Sequence, residues 1–148
     1  MSARKSIVID GENQILGRLA SEVSKLLLKG NRVVVVNAEK ILLSGNRKSN
    51  LNSYLLKLEI SSRTNPIYGP YHARRPENIV SRTIRGMLPM RKSKGAIAFD
   101  RLRVFVGIPA RFEKAARTTF FKAKATKPLS FYTKVEEIAE VLGKGVAS

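Results

Sequence analysis

Apolar and polar residues alternate along this chain in patterns that mark out short elements in turn. Ser6 to Ile9 is a brief apolar run that reads as a strand, closed by the turn pair Asp10-Gly11. Ile15, Leu16, Leu19, Ala20, Val23, Leu26 and Leu27 then recur at helical spacing, with Arg18, Glu22, Lys25 and Lys29 mostly on the wet side. Gly30-Asn31 supplies a C-terminal stop. Val33 to Val36 places four β-branched residues in a row, the mark of a strand covered on both faces as in a parallel sheet. Strand, helix, strand predicts a right-handed βαβ unit. Lys40 to Leu43 is compatible with another strand but too short to classify. A helix is expected from Asn46, because Leu51, Tyr54, Leu55 and Leu58 fall at i, i+3, i+4 and i+7.

The second half is more broken. Ser61 to Pro76 is interrupted by Pro66, Gly69-Pro70 and Pro76 and reads as a stiffened loop. On a helical wheel Ile79, Val80, Thr83, Ile84, Met87 and Leu88 then share one face, while Arg82 and Arg85 lie on the other. Pro89 is expected to stop that helix, leaving Met90 to Gly95 as a loop that carries Arg91, Lys92 and Lys94. Leu102 to Val106 reads as a strand ended by Gly107-Ile108-Pro109. Arg111 to Lys127 shows no clean period and is expected to order on a partner. Thr133-x-x-Glu136 has the spacing of a capping box, opening a helix through Val135, Ile138, Ala139 and Leu142 that Gly143 would close. No repeat or linker divides the 148 residues, so a single domain is expected, with a core over about 6–110 and a basic extension and C-terminal helix over about 111–148.

Charge changes this picture from a generic α/β fold to a specific kind of surface. Lys and Arg number 28 against 11 Asp and Glu, a net charge of +17. The isoelectric point of about 10.7 exceeds the value typical of nucleic-acid-binding domains. The excess is uneven: 16 cations and 3 acids (Glu77, Asp100, Glu113) lie between Arg63 and Lys127. Such a chain repels itself until a polyanion neutralises it. The absence of cysteine excludes disulfides, Fe–S clusters and cysteine-based zinc sites. The longest apolar runs, Val33 to Val36 and Ala96 to Phe99, are far below the roughly 20 residues that span a bilayer. Asp10 and Glu12 interrupt the only stretch resembling a secretory core, and a soluble intracellular protein is expected.

Three places could carry chemistry. Gly11 to Arg18 follows the first strand, where a phosphate loop would stand, but five residues separate its glycines and Arg18-Leu19 replaces Lys-Ser/Thr. Gly17 is expected instead to let the helix pack close to the sheet. His72, the only histidine, has no neighbouring carboxylate in sequence to orient it as a base. Asp10 and Glu12 are too few for a metal site without further oxygen ligands. A metal-dependent nucleic-acid-processing enzyme using Asp10, Glu12 and His72 is the rival reading, and a free-standing DNA-compacting protein is another.

The basic segments carry more. Arg63, Arg74, Arg75, Arg82, Arg85, Arg91, Lys92 and Lys94 form one group, and Arg111, Lys114, Arg117, Lys122, Lys124 and Lys127 the second. Their cations suit phosphates, and Tyr68, Tyr71, His72, Phe112, Phe120 and Phe121 offer rings for unpaired bases. Charge alone points to nucleic acid without choosing RNA or DNA.

The residues also resemble a known family. LGRLAS (Leu16 to Ser21), VVVVNAEKI with Ser44-Gly45, YHARRPENI (Tyr71 to Ile79), RGMLP (Arg85 to Pro89) and RLRVFVGIPA (Arg101 to Ala110) are similar, in order, to the universal large-subunit ribosomal protein thirteen family (uL13). The arrangement resembles its archaeal and eukaryotic branch, and the short C-terminus looks more archaeal. The resemblance implies a three-layer α/β/α domain on a small, about four-stranded, mainly parallel sheet. It further implies a structural, non-enzymatic role in the assembly of the large subunit, bound to ribosomal RNA and neighbouring ribosomal proteins in the cytoplasm. No organic cofactor, metal, small-molecule substrate or membrane is expected. His72, Arg74, Arg75 and Arg85 carry over as RNA contacts, with Gly86 allowing close backbone approach.

Overall fold

The computed structural model describes residues 6–144, so the ends of the expected 1–148 domain lie outside the described residues. Three strands come first to the sheet: β1 (Ser6–Asp10), β2 (Arg32–Val36) and, much later, β4 (Leu102–Val104). Between β2 and β4 the chain forms a short strand β3 (Leu42–Ser44) that belongs to a separate pair. The main sheet runs β4-β2-β1-β5, every neighbour parallel, with β5 (Arg117–Thr118) at the edge. In the centre Val8 pairs with Val34 and Ile9 with Val35.

The valine run behaves as its composition requires. Successive strand side chains alternate faces, so Val33 and Val35 join the large core with Ile9, while Val34 and Val36 turn the other way with Val8. Helices cover the first face. These are α1 (Leu16–Leu28), α3 (Pro76–Gly86) and α5 (Val135–Lys144), whose Leu19, Val23, Leu27, Ile79, Val80, Ile84, Ile138 and Leu142 are all buried together. The opposite face is covered by Phe105, Phe112 and Ala115 rather than by an α-helix. The domain is therefore α/β with a parallel four-stranded sheet, but its second covering layer is a thin one.

Local signals explain the helix ends. Gly30 adopts φ +97° and donates to Leu27 O at 3.0 Å, while Asn31 N reaches Leu26 O at 3.3 Å, which ends α1 as expected. α2 (Arg47–Glu59) starts at Asn46, whose side chain accepts from Lys48 N at 3.0 Å. α3 opens with Pro76, where a missing amide proton is harmless, and has Glu77 in its first turn and Arg85 in its last, both matched to the helix dipole.

Several expectations need correction. α3 ends at Gly86, before Pro89. Met87 leaves the buried stripe and is 43% exposed, while Leu88 stays buried at 6%. Gly95 does not belong to a loop: Ser93–Asp100 is a further helix, α4, so Lys94 sits in a helical first turn. Thr133 is no cap. It lies in β6 (Tyr132–Lys134), antiparallel to β3, and its buried Oγ1 accepts from Asn50 Nδ2 at 3.3 Å. Gly143 lies within α5. A Cβ on Gly17 would meet nothing within 4 Å, whereas at Gly11, the other glycine of that stretch, a Cβ would come within 2.7 Å of Ile41 Cγ1. Finally, Arg111 to Lys127 is not a free tail. It supplies β5, Ile15 N donates to Ala123 O at 2.7 Å, Ala125 N donates to Asn13 O at 3.0 Å, and Ala123 is fully buried.

Candidate nucleic-acid interface

The anchor of the site is α3. Burial of Ile79, Val80 and Ile84 fixes its rotation, and this holds Arg82 and Arg85 on the solvent side. Arg82 Nη1 donates to Tyr71 O, and a His72 ring nitrogen lies 2.7 Å from Ile60 O. Those two bonds tie the proline-rich loop to α3 and to the end of α2.

After Gly86 the chain turns sharply. Met87 N donates to Ile84 O at 3.0 Å and Leu88 N to Arg85 O at 3.1 Å, and the buried Leu88 pins the turn to the core. Lys92 N then donates to Pro89 O at 3.0 Å. The result is an open groove of about 580 Å³ lined by Arg82, Arg85, Gly86, Leu88, Pro89, Met90, Arg91 and Lys92. Four cations and no carboxylate line it. Gly86 has open space where a side chain would stand, so a ligand can approach the backbone there.

Not every predicted residue joins this groove. Lys94 faces a second groove of about 420 Å³ with Lys29 and Arg101, a cation that the sequence reading left out. Arg74 and Arg75 face a third, of about 510 Å³, where Glu39, Glu136 and Glu140 balance their charge. Arg75 Nη1 is also 4.0 Å from Glu77 Oε1. Arg117 lies 3.9 Å from Asp10 Oδ2. Arg63, Arg111, Lys114, Lys122, Lys124 and Lys127 are exposed. Among the described residues only Arg75 and Arg117 of the predicted cations have a carboxylate within 4.0 Å. The rest, Arg74 with its groove carboxylates aside, form no ion pair among the described residues.

The predicted rings divide in two. Tyr68, Tyr71 and Phe121 are 84%, 71% and 92% exposed and available for stacking. Phe112 instead packs on Phe105, with centroids 5.8 Å apart, and Phe120 is half-buried against the core. Phe131, 57% exposed with Lys127 Nζ 6.0 Å from its ring centroid, was missed because it falls outside the basic runs.

The acidic pair has a structural task. Asp10 Oδ1 accepts from Glu12 N at 3.0 Å and from Asn37 Nδ2 at 2.9 Å, which holds Asn37 at φ +55°, and Glu12 lies 3.6 Å from Lys40. Among the described residues no three His, Cys, Asp or Glu side chains gather closely enough to hold a metal ion. No described helix is long and apolar enough to cross a membrane.

The family model described as Ribosomal protein L13 matches residues 4–111. The chain is 43% identical over 138 residues to the large ribosomal subunit protein uL13 of Sulfurisphaera tokodaii, covering 93% of this chain and 94% of that protein. It is 41% identical over 141 residues to the protein of the same name from Archaeoglobus fulgidus, covering 92% and 86%. The motifs singled out in the sequence, from LGRLAS to RLRVFVGIPA, fall within the matched span, and the chain belongs to the ribosomal protein L13 family.

Proposed function

We propose that this chain is a structural, non-enzymatic constituent of the large ribosomal subunit that binds ribosomal RNA, touches neighbouring ribosomal proteins and supports assembly of the particle in the cytoplasm. The observation that carries the reading is the carboxylate-free groove at RGMLP, built on a buried helix face in a chain of this family. Cations held rigidly near one another neutralise phosphates of RNA helices that would otherwise repel, and counterion release makes the binding strongly salt-dependent. Arginines fork onto phosphate oxygens, and the open Gly86 lets the RNA backbone come close.

The contacts we assign are Arg82, Arg85, Gly86, Arg91 and Lys92 in that groove, Lys94 beside it, and Arg63, Tyr71, His72, Arg74 and Arg75 in or after the proline-rich loop. Arg111, Lys114, Arg117, Lys122, Lys124 and Lys127 extend the field beyond the groove, Arg117 from the edge strand β5. We read residues 1–148 as one domain, with a core over about 6–110 and a basic extension and C-terminal helix after it, the extension also lending a strand to the sheet. Co-sedimentation with large subunits through a density gradient, with release at high salt, is the expected result. A protein that stays at the top of the gradient at low salt refutes the role.

A further inference from the structure

Next to the cationic groove, α2, α3, α5 and the proline-rich loop surround a different kind of space. It is a cavity of about 310 Å³, and Leu58, Ala73, Ile79 and Leu142 give it apolar walls beside the ring of Tyr54. Lys57 and Arg82 also line it, and both are exposed. Three of the polar side chains there are engaged: Arg82 with Tyr71 O, His72 with Ile60 O at 2.7 Å, and Thr83 Oγ1 with Ile79 O at 2.9 Å. The Tyr54 hydroxyl and Lys57 Nζ have no hydrogen-bond partner among the described residues, Lys57 lying only over the Tyr54 ring. Burial raises the Tyr54 pKa above the ordinary tyrosine value, so at neutral pH the hydroxyl remains a neutral donor.

We propose that this cavity receives one unstacked nucleotide of the bound RNA, an inference that rests on the RNA-binding role above. An aromatic ring, an uncommitted hydroxyl and two cations at an apolar cavity are the groups a nucleotide uses: a face for its base, a donor for a base acceptor, and positive charge for its phosphate. The volume is at the lower end for small-molecule pockets, roughly 300 Å³ and upward, which leaves room for one nucleoside and none for a helix. Lys57 Nζ now lies 4.6 Å from the Tyr54 ring centroid. Being long and exposed, it gives up the ring to the base and pairs with the phosphate opposite Arg82. Arg82 thus serves both spaces, so a strand whose phosphates follow the RGMLP groove can turn one base inward beside it.

The test uses the full chain and a large-subunit RNA fragment that it binds, titrated over a range of salt. Tyr54→Leu removes the ring and hydroxyl, and Ala73→Leu fills the cavity without altering a charge. Each should weaken binding by roughly 5- to 100-fold, the range for a lost base stack, with the salt slope unchanged. A second readout needs no substitution: tetranitromethane should nitrate Tyr54 in the free protein and not in the complex, as read by mass spectrometry against the unmodified peptide that carries Tyr54. Undiminished affinity in both variants, or equal nitration of Tyr54 with and without RNA, overturns the nucleotide site while leaving RNA binding intact. Failure of the unaltered protein to bind RNA in a salt-dependent way overturns the RNA-binding role and the site with it. Free 5′-AMP and 5′-UMP separate the two sources of a nucleotide: if either protects Tyr54 and the RNA does not, the site belongs to a free nucleotide and the proposal fails.

Discussion

Replacing Gly95 by alanine should destabilise the protein, although alanine is the better helix former. Gly95 sits in the first turn of α4, and its amide donates to Lys92 O at 3.0 Å. A Cβ built there would fall on the Pro89 carbonyl, far closer than real Cβ contacts come, and 3.0 Å from Met90 N. The obstacle is backbone, so no rotamer change relieves it: α4 must move away from the turn that follows α3. Overpacking of this kind costs about 1–3 kcal/mol, and a backbone collision belongs at the upper end. The helix preference of alanine over glycine returns about 1 kcal/mol. The net loss is about 2 kcal/mol, which for a domain of about 150 residues lowers Tm by roughly 4–8 °C. Thermal unfolding followed by circular dichroism reads it directly. Because the same contact positions Arg91 and Lys92, affinity for large-subunit RNA at a temperature where the variant is folded should fall as well. A Tm equal to or above that of the unaltered protein would refute the argument, since it would mean that α4 does not rest against Pro89.

Other perturbations separate the core from the charged surface. The double change Lys92→Glu, Lys94→Glu, at two exposed positions in adjacent grooves, should weaken RNA binding and flatten its salt dependence while shifting unfolding by no more than about 0.5 kcal/mol; an unchanged salt slope removes that turn from the contacts. Ile84→Ala empties a fully buried position on the anchoring face of α3 and should cost about 2–5 kcal/mol in denaturant unfolding, a loss within 1 kcal/mol showing that α3 is loosely seated. Glu22 has its pKa held below the ordinary glutamate value, first by the hydrogen bond from Lys25 at 2.8 Å. A carboxylate with a lowered folded pKa stabilises the fold above its unfolded pKa, and this is lost as pH falls through the folded value. The acid limb of the stability–pH curve should therefore be slightly shallower in Glu22→Gln, and identical limbs would remove this pair from the stability of α1.

Periodicity and composition determined the elements whose signals are local. The valine run could only be a strand buried on both faces, because four apolar β-branched side chains alternate sides and none is polar. α1 and the buried stripe of α3 followed from the 3.6-residue period, and the stop at Gly30 from the need for positive φ. The excess of cations over carboxylates likewise announced a polyanion partner before any fold was known. What failed was whatever depends on contacts distant in sequence. The Thr133-x-x-Glu136 spacing is that of a cap, yet Thr133 is drawn into a strand because Leu43 and Asn50 offer it partners. α4 was missed since its helical start depends on Gly95 fitting against Pro89, a fit that no local propensity encodes.

The same division holds for the site. Sequence alone supplied the cations and their rigid support, because charge and amphipathic spacing are written residue by residue. Only the tertiary structure decided that Arg82, Arg85, Arg91 and Lys92 share one groove, that Arg74 and Arg75 face carboxylates, and that Tyr54, ordinary in a helical wheel, lines one cavity with Arg82 and Leu142. The physical reason is that charge is a property of a residue, whereas its neutralisation by a neighbour is a property of distance, which folding sets.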